Sequence, residues 1–301
     1  MYRYIVFDSS QHMRFSSRLD RLGAHYVSLF DGHPEEPFRD IAPLLIDVTS
    51  ACELTQTVVE EATRIGLLKP CVSMLDSTSP LSGLADHLRR FHLFEMSDGR
   101  LMVTRWYDTR ILPALFEILS PQQLWTFTQG IATWSGYGRF GATQEYRIHD
   151  DKGSERPLKQ PTPLILDASQ ERTLFDATEP DFLIHELRRN IKAEIDRVPR
   201  DVLYPFIRTH WLSAREAGVT ERADQLQFLV LALTTSGKCA DCPIVIDRMK
   251  SGFAHNEESF QQWIENLPAE VWESGPPLWE TSERAQGNYT VRSGNAASRP
   301  V

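Results

Sequence analysis

The stretch TRWYDTRIL, residues 104–112, decides how the first half of this chain is built. Residues 101–106 alternate between two sets of side chains, as the two faces of a β-strand do. Asp108 is of a residue type that caps helices, and Arg110 can pair with a nearby carboxylate. The stretch therefore predicts a junction at which a strand ends and a helix begins. We expect Arg105, Tyr107, Asp108 and Arg110 to lock that junction; the alternative is that Arg105 or Trp106 contacts a partner.

The predicted elements around this junction belong to a hairpin and to the segments after it. Asp98-Gly99 is a turn pair typical of hairpins. The hairpin strands are residues 91–96 and 101–106, the helices are residues 108–119 and 121–129, and the next strands are residues 131–134 and 143–148. Antiparallel pairing is therefore expected in part of this region.

Strand-like and helix-like segments also alternate before the hairpin. Short apolar runs predict strands over residues 2–7, 25–30, 44–48 and 71–75, and helical spacing predicts helices over residues 11–22, 54–66 and 80–90. Ser9 and Ser10 are expected to cap the first helix, and Gly23 and Gly66 are expected to end the first and second helices. This interleaving predicts a mixed α/β domain with a small mixed sheet over residues 1–150.

The second half of the chain is predicted to be helical. Residues 151–180 begin with a polar, turn-rich segment and are assigned to a linker. Residues 181–280 carry apolar side chains at helical spacing, which predicts an all-α domain. Residues 281–301 are rich in Ser, Gly, Asn and Arg, and they are expected to form a flexible tail because they have too little apolar surface to fold.

The composition narrows the classes of partner and the compartment. Lys and Arg number 32 against 41 Asp and Glu, so the net charge is −9. This charge disfavours nucleic acid and anionic membranes, because both attract positive surfaces. Four cysteines are too few for a disulfide scaffold of this size. We see neither a secretory signal nor an apolar run of about 20 residues, and we expect a cytoplasmic protein.

The segment GYGRFG, residues 136–141, matches the G-x-G-x-x-G pattern of dinucleotide-binding loops. Such a loop must lie between a strand and a helix, so that the helix N-terminus meets the pyrophosphate. Residues 143–150 alternate like a strand and show no helical apolar stripe. The sequence therefore favours a glycine-containing hairpin or loop that presents aromatic side chains.

Cys239 and Cys242 form a C-x-x-C pair. A zinc site would need two more ligands, and His255 has no second histidine at the spacing of a zinc finger. Two reduced cysteines in a turn between helices are the favoured interpretation, with a metal or redox role as the alternative. We find no set of acid, base and nucleophile in the sequence that predicts catalysis.

A series of short motifs follows a fixed order between residues 24 and 135. The motifs are Leu29-Phe30-Asp31-Gly32, Pro43-Leu44-Leu45, Pro80-Leu81, His87-Leu88-Arg89, Asp98-Gly99, residues 105–112, and residues 119–124 with Phe127 and Gly130. In order and spacing they resemble the Tap/Tec/VasW-type adaptors of bacterial type VI secretion, a family long catalogued as a domain of unknown function. The family often has proline where this chain has Thr109. Because Pro113 lies further along, we expect the helix to kink there or to begin only near it.

The resemblance implies a function without catalysis. Such adaptors bind a specific effector and help to load it onto the VgrG-type spike, so we expect a non-enzymatic chaperone with these two partners and with no cofactor or metal. The candidate partner contacts are aromatic: Trp134, Tyr137, Phe140, Trp211 and Trp106. The alternative is that these side chains belong to the core. Two other functions stay open, namely an immunity or regulatory protein that binds a toxin directly and an enzyme that binds a nucleotide at residues 136–141.

Overall fold

The computed structural model describes residues 1–146, 148, 160–253 and 259–281. The chain divides into two units, Met1–Thr178 and Glu179–Val301. The described part of the first unit contains two β-sheets with helices, and that of the second is helical, which confirms the predicted fold class.

The first unit contains nine strands in its described residues. They are β1 (Tyr2–Asp8), β2 (Tyr26–Ser28), β3 (Pro43–Asp47), β4 (Val72–Ser77), β5 (Leu93–Glu95), β6 (Leu101–Val103), β7 (Ile131–Tyr137), β8 (Thr143–Tyr146) and β9 (Leu164–Ile165). Six of them form one sheet in the order β2-β3-β1-β4-β7-β8, and every neighbouring pair is antiparallel. The other three form a mixed sheet in the order β6-β5-β9, in which β5 and β9 run parallel.

Strand β1 lies in the middle of the large sheet because its sequence is apolar on both faces. Tyr4, Ile5, Val6 and Phe7 are all fully buried, which requires packing on both sides of the strand. In register, Val6 faces Leu45 of β3 and Ser73 of β4.

The helices of the first unit end close to their predicted positions, but the first and the fourth begin four residues later than predicted. They are α1 (Phe15–Leu22), α2 (Glu53–Leu68), α3 (Leu81–Arg89), α4 (Leu112–Ile118) and α5 (Pro121–Phe127). Gly23 ends α1 in the left-handed conformation, with φ of 70°. Pro113 lies in the first turn of α4, so this helix begins near the proline, as one of the two expectations stated.

Two local predictions in the first unit were wrong. Asp8, and not a serine, accepts the capping hydrogen bond of residues 9–11, which form a 3₁₀ turn before α1. Gly66 does not end α2, because the helix continues to Leu68 and Gly66 is buried inside it. Its missing side chain leaves room for the Tyr137 ring, which a Cβ at this position would overlap.

The residues assigned to a linker contain ordered elements in their described part. Residues 160–178 include β9 and the first half of α6 (Ala168–Asn190), and residues 151–159 lie outside the described residues. The cue for a linker was polar composition, whereas β9 is added to the small sheet by its pairing with Phe94 and Glu95 of β5.

The described second unit is built from helices only. After α6 come α7 (Lys192–Ile195), α8 (Arg200–Glu216), α9 (Arg222–Thr234), α10 (Pro243–Ser251), α11 (Phe260–Glu265) and α12 (Ala269–Trp272). Leu229 and Leu233 of α9 pack with Ile207 and Trp211 of α8, and the opposite side of α9 packs on α11 through Phe228. No helix among the described residues is long and apolar enough to cross a bilayer. The predicted tail lies outside the described residues except for Thr281.

Candidate functional site

The junction begins where β6 ends, and Thr104 fixes its first turn. The Thr104 N–H donates to the His92 carbonyl at 3.2 Å, and its hydroxyl donates to the Phe91 carbonyl at 3.0 Å. Arg105 then takes a left-handed conformation with φ of 47°. A residue with a side chain adopts this conformation only at a cost, so the surrounding contacts must hold Arg105 in place.

Asp108 is fully buried and is held by two arginines. Its carboxylate accepts hydrogen bonds from the Arg110 N–H at 3.0 Å and from Arg110 Nη2 at 2.6 Å, and a longer one from Arg105 Nη2 at 3.4 Å. The Asp108 carbonyl accepts from the N–H groups of Ile111 and Leu112. Asp108 therefore closes the turn before α4 and does not cap the helix itself, whose N-cap position is Ile111.

Arg105 also reaches a second buried carboxylate, that of Asp8 at the end of β1. Arg105 Nη2 lies 3.1 Å from Asp8 Oδ2, and the same carboxylate accepts from Ser10 and Gln11. One guanidinium thus bridges Asp8 and Asp108, which are both fully buried. Sequence reasoning missed this link, because no local pattern pairs residues that are 97 positions apart.

Trp106 and Tyr107 complete the junction with aromatic packing. Trp106 is 1% exposed and meets Phe127 and Trp134 edge to face, each with ring centroids 5.8 Å apart. Burial raises the pKa of Tyr107 above its ordinary value, and the Asp8 carboxylate raises it further. The phenol is therefore neutral at physiological pH.

Three of the five candidate partner contacts are core residues. Trp106, Trp134 and Trp211 are each at most 3% exposed. Trp134 Nε1 donates to Ser73 Oγ at 3.0 Å, and Trp211 Nε1 donates to Gln225 Oε1 at 3.2 Å. A partner could not touch these rings unless the core opened. Of the five aromatic candidates, only Tyr137 and Phe140 therefore remain accessible to a partner.

Residues 136–141 join β7 to β8 as a hairpin. Gly136 lies opposite Gln144, and the Gly138 N–H donates to the Ala142 carbonyl at 2.9 Å. A strand follows the third glycine, so the segment lacks the helix N-terminus that a dinucleotide loop needs. Tyr137 is half-buried, and its hydroxyl donates to Thr63 Oγ1 at 3.3 Å. Phe140, at the tip of the hairpin, is 48% exposed.

The tip of this hairpin packs against the end of α2. A Cβ on Gly141 would overlap the Leu67 carbonyl, so the two backbones are in close contact. Leu67 and Leu68 are themselves 52% and 69% exposed. Three large apolar side chains, those of Leu67, Leu68 and Phe140, are therefore offered to solvent from neighbouring positions.

The loop after β1 reaches the same end of α2. Gln11 Nε2 donates to the Pro70 carbonyl at 2.8 Å, and Lys69 Nζ donates to the Gln11 carbonyl at 2.6 Å. Met13 in this loop is 58% exposed. We name the combined region the α2-end surface, and its members are Met13, Arg14, Arg64, Leu67, Leu68 and Phe140.

Positive charge surrounds the apolar part of the α2-end surface. Arg14 and Arg64 are exposed, and neither forms a side-chain ion pair within the described residues. Burial lowers the pKa of His12, and the charges of Lys69, Arg64 and Arg14 lower it further. These three cations therefore act on one small region of a chain whose net charge is −9.

Residues 3–125 match the family model described as Domain of unknown function (DUF4123). The match includes β1, the junction and most of the α2-end surface, while Phe140 lies beyond it. No curated protein and no solved structure matches the chain significantly.

The remaining candidates, the two cysteines of the C-x-x-C pair, belong to the second unit. Cys239 lies within a 3₁₀ turn over Lys238–Asp241, and Cys242 directly follows it; both are free thiols, and His255 lies outside the described residues. Within the described part of the chain, no group of three His, Cys, Asp or Glu side chains could hold a metal ion. Within residues 3–125, sequence reasoning also missed Met13, Leu67 and Leu68, because an apolar residue beside a helical stripe normally indicates core.

Proposed function

We propose that this chain is a non-enzymatic adaptor of bacterial type VI secretion. It binds one effector in the cytoplasm and helps to load it onto a VgrG-type spike protein. The observation that carries the proposal is the DUF4123 match over residues 3–125. It covers the motifs from Leu29 to Leu124 on which the resemblance to secretion adaptors rests.

The α2-end surface supports a protein-binding role in physical terms. Scattered apolar residues on a surface need no explanation, but Leu67, Leu68 and Phe140 adjoin each other around one helix end. An adaptor that covers an apolar or unstable effector segment needs such a surface. Its affinity would come from burial of a few large side chains.

The proposal is tested by deleting the gene in a bacterium that encodes the chain. We expect export of the toxin-like effector encoded nearby to be lost, while the spike protein and an unrelated effector are still secreted. A plasmid copy should restore export. Unchanged export of every effector would refute the proposal.

The same strain separates the proposal from direct neutralisation of a toxin. An immunity protein protects its own cell, so its deletion would poison the cell even when the secretion machinery is inactivated. We expect the deletion strain to grow normally in that background.

A further inference from the structure

We infer that the α2-end surface binds an acidic, apolar segment of a partner protein, an inference that rests on the proposed function for the identity of that partner. The surface combines exposed apolar side chains with cations that have no ion pair of their own among the described residues. The segment it fits carries large apolar residues for Leu67, Leu68 and Phe140, with Asp or Glu beside them for Arg14 and Arg64.

The spacing on α2 sets how close the acidic and apolar groups of the partner must be. Arg64 and Leu68 are four residues apart on one helix, so their side chains lie on the same face, about 6 Å apart at their Cβ atoms. A bound segment must therefore place a carboxylate within one helical turn of an apolar side chain. A segment that is only acidic would contact the arginines alone, and a segment that is only apolar would contact the apolar side chains alone.

The neighbouring charges show why the cations remain available. Arg18 lies one turn after Arg14, but Glu61 neutralises it through a bidentate contact with a shortest distance of 2.6 Å. Arg14 and Arg64 form no such ion pair in the described residues, and Glu61 acts on Arg64 only at longer range. Because the rest of the chain is acidic, these cations would also orient an acidic partner during its approach.

Charge also argues against the other occupants of this surface. A second copy of the chain in a two-fold contact would bring together two patches that both carry an excess of cations, which is unfavourable. Nucleic acid and anionic lipid spread negative charge over a wide area, so they would meet the field of the whole chain, whose net charge is −9, whereas a short acidic segment meets mainly the local cations. A protein segment that carries its own apolar groups gains from both parts of the surface.

The test is a selection of random 16-residue displayed peptides on the full-length chain. Counter-selection uses a Leu68→Ser/Phe140→Ser variant, which keeps the charges but removes apolar contacts. We expect the retained peptides to combine Asp or Glu with Leu, Phe or Trp. Failure to enrich any peptide that depends on the surface, or enrichment of neutral or basic peptides, would overturn the inference.

A charge-reversal pair measures the electrostatic part. The Arg14→Glu/Arg64→Glu variant should bind the selected peptides at least about tenfold more weakly, since two favourable pairs become repulsive. The control is Arg172→Glu/Arg208→Glu, which makes the same charge change at exposed helical positions elsewhere. Equal weakening in both variants would mean that the net charge, and not this surface, governs binding, and would also overturn the inference.

Two further measurements test whether the variants are folded and whether the surface binds membranes instead of peptides. Circular dichroism checks that all variants are folded, which we expect because the changed side chains are exposed. Vesicles that contain phosphatidylserine should not bind; binding to vesicles but not to peptides would assign the surface to membranes. If acidic peptides bind as expected but export does not require the chain, the proposed function fails and the surface chemistry stands.

Discussion

The buried carboxylates of the junction give the largest stability effect that we expect in the first unit. In Asp108→Ala, the hydrogen bonds from Arg110 and Arg105 are lost together. Removing one partner of a buried ion pair costs about 3–5 kcal/mol. The side chains of Arg105 and Arg110 are 40% and 29% exposed and can regain water, so we expect the lower end, about 3 kcal/mol.

Two substitutions at Arg105 distinguish the stability contributed by its ion pairs from the cost of its left-handed backbone conformation. Arg105→Ala loses hydrogen bonds to charged groups, which are worth about 1.5–3 kcal/mol. Arg105→Gly loses the same bonds but relieves the left-handed conformation, worth about 1–2 kcal/mol. The greater freedom of glycine in the unfolded chain takes back about 0.4–1 kcal/mol. We therefore expect Arg105→Gly to be more stable than Arg105→Ala by roughly 0.5–1 kcal/mol.

Hydrogen exchange measured at increasing urea is the suitable assay, because peptides from β1 and α4 report on the first unit alone. The expected order of destabilisation is Asp108→Ala, then Arg105→Ala, then Arg105→Gly. Asp86→Ala is the control, since its pair with Arg89 is exposed and worth less than about 1 kcal/mol. The reasoning would be refuted if Asp108→Ala cost no more than Asp86→Ala, or if glycine at position 105 were less stable than alanine.

Three further predictions concern other described positions. Hydrogen bonds from the Thr55 N–H and hydroxyl lower the pKa of Cys52, while burial raises the pKa of Cys71 to about 12. Iodoacetamide at pH 7.5 should therefore label Cys52 much faster than Cys71, and equal labelling of the two in mass spectra would contradict this. Gly141→Ala should cost clearly more than Gly99→Ala in urea unfolding, because both have φ near 80° but only the former adds a clash with a backbone carbonyl. Burial lowers the pKa of His92, so the folded state resists protonation and stability should fall as the pH drops below about 6.5; His92→Gln should show a smaller loss between pH 7.5 and 5.5, and an identical loss would count against a role of His92.

The sequence alone determined the elements that depend on neighbouring residues. The apolar run of β1 and the Asp98-Gly99 turn with φ of 82° at Gly99 are local features. The Ser120 capping box of α5 and the start of α4 near Pro113 are also local. Because such features are set by periodicity, capping and φ preferences within a few residues, they could be predicted without knowledge of the sheet order.

Only the tertiary structure decided which side chains are buried and which distant residues meet. A tryptophan in a sequence pattern is compatible with a core position and with an interface. Trp134 can be buried because Ser73 of the neighbouring strand accepts its N–H and Trp106 packs against its ring. Arg105 contacts Asp8 only because the large sheet brings the end of β1 close to the junction. Leu68 is exposed because α2 continues past Gly66 to the surface, a result that depends on packing between segments far apart in the chain.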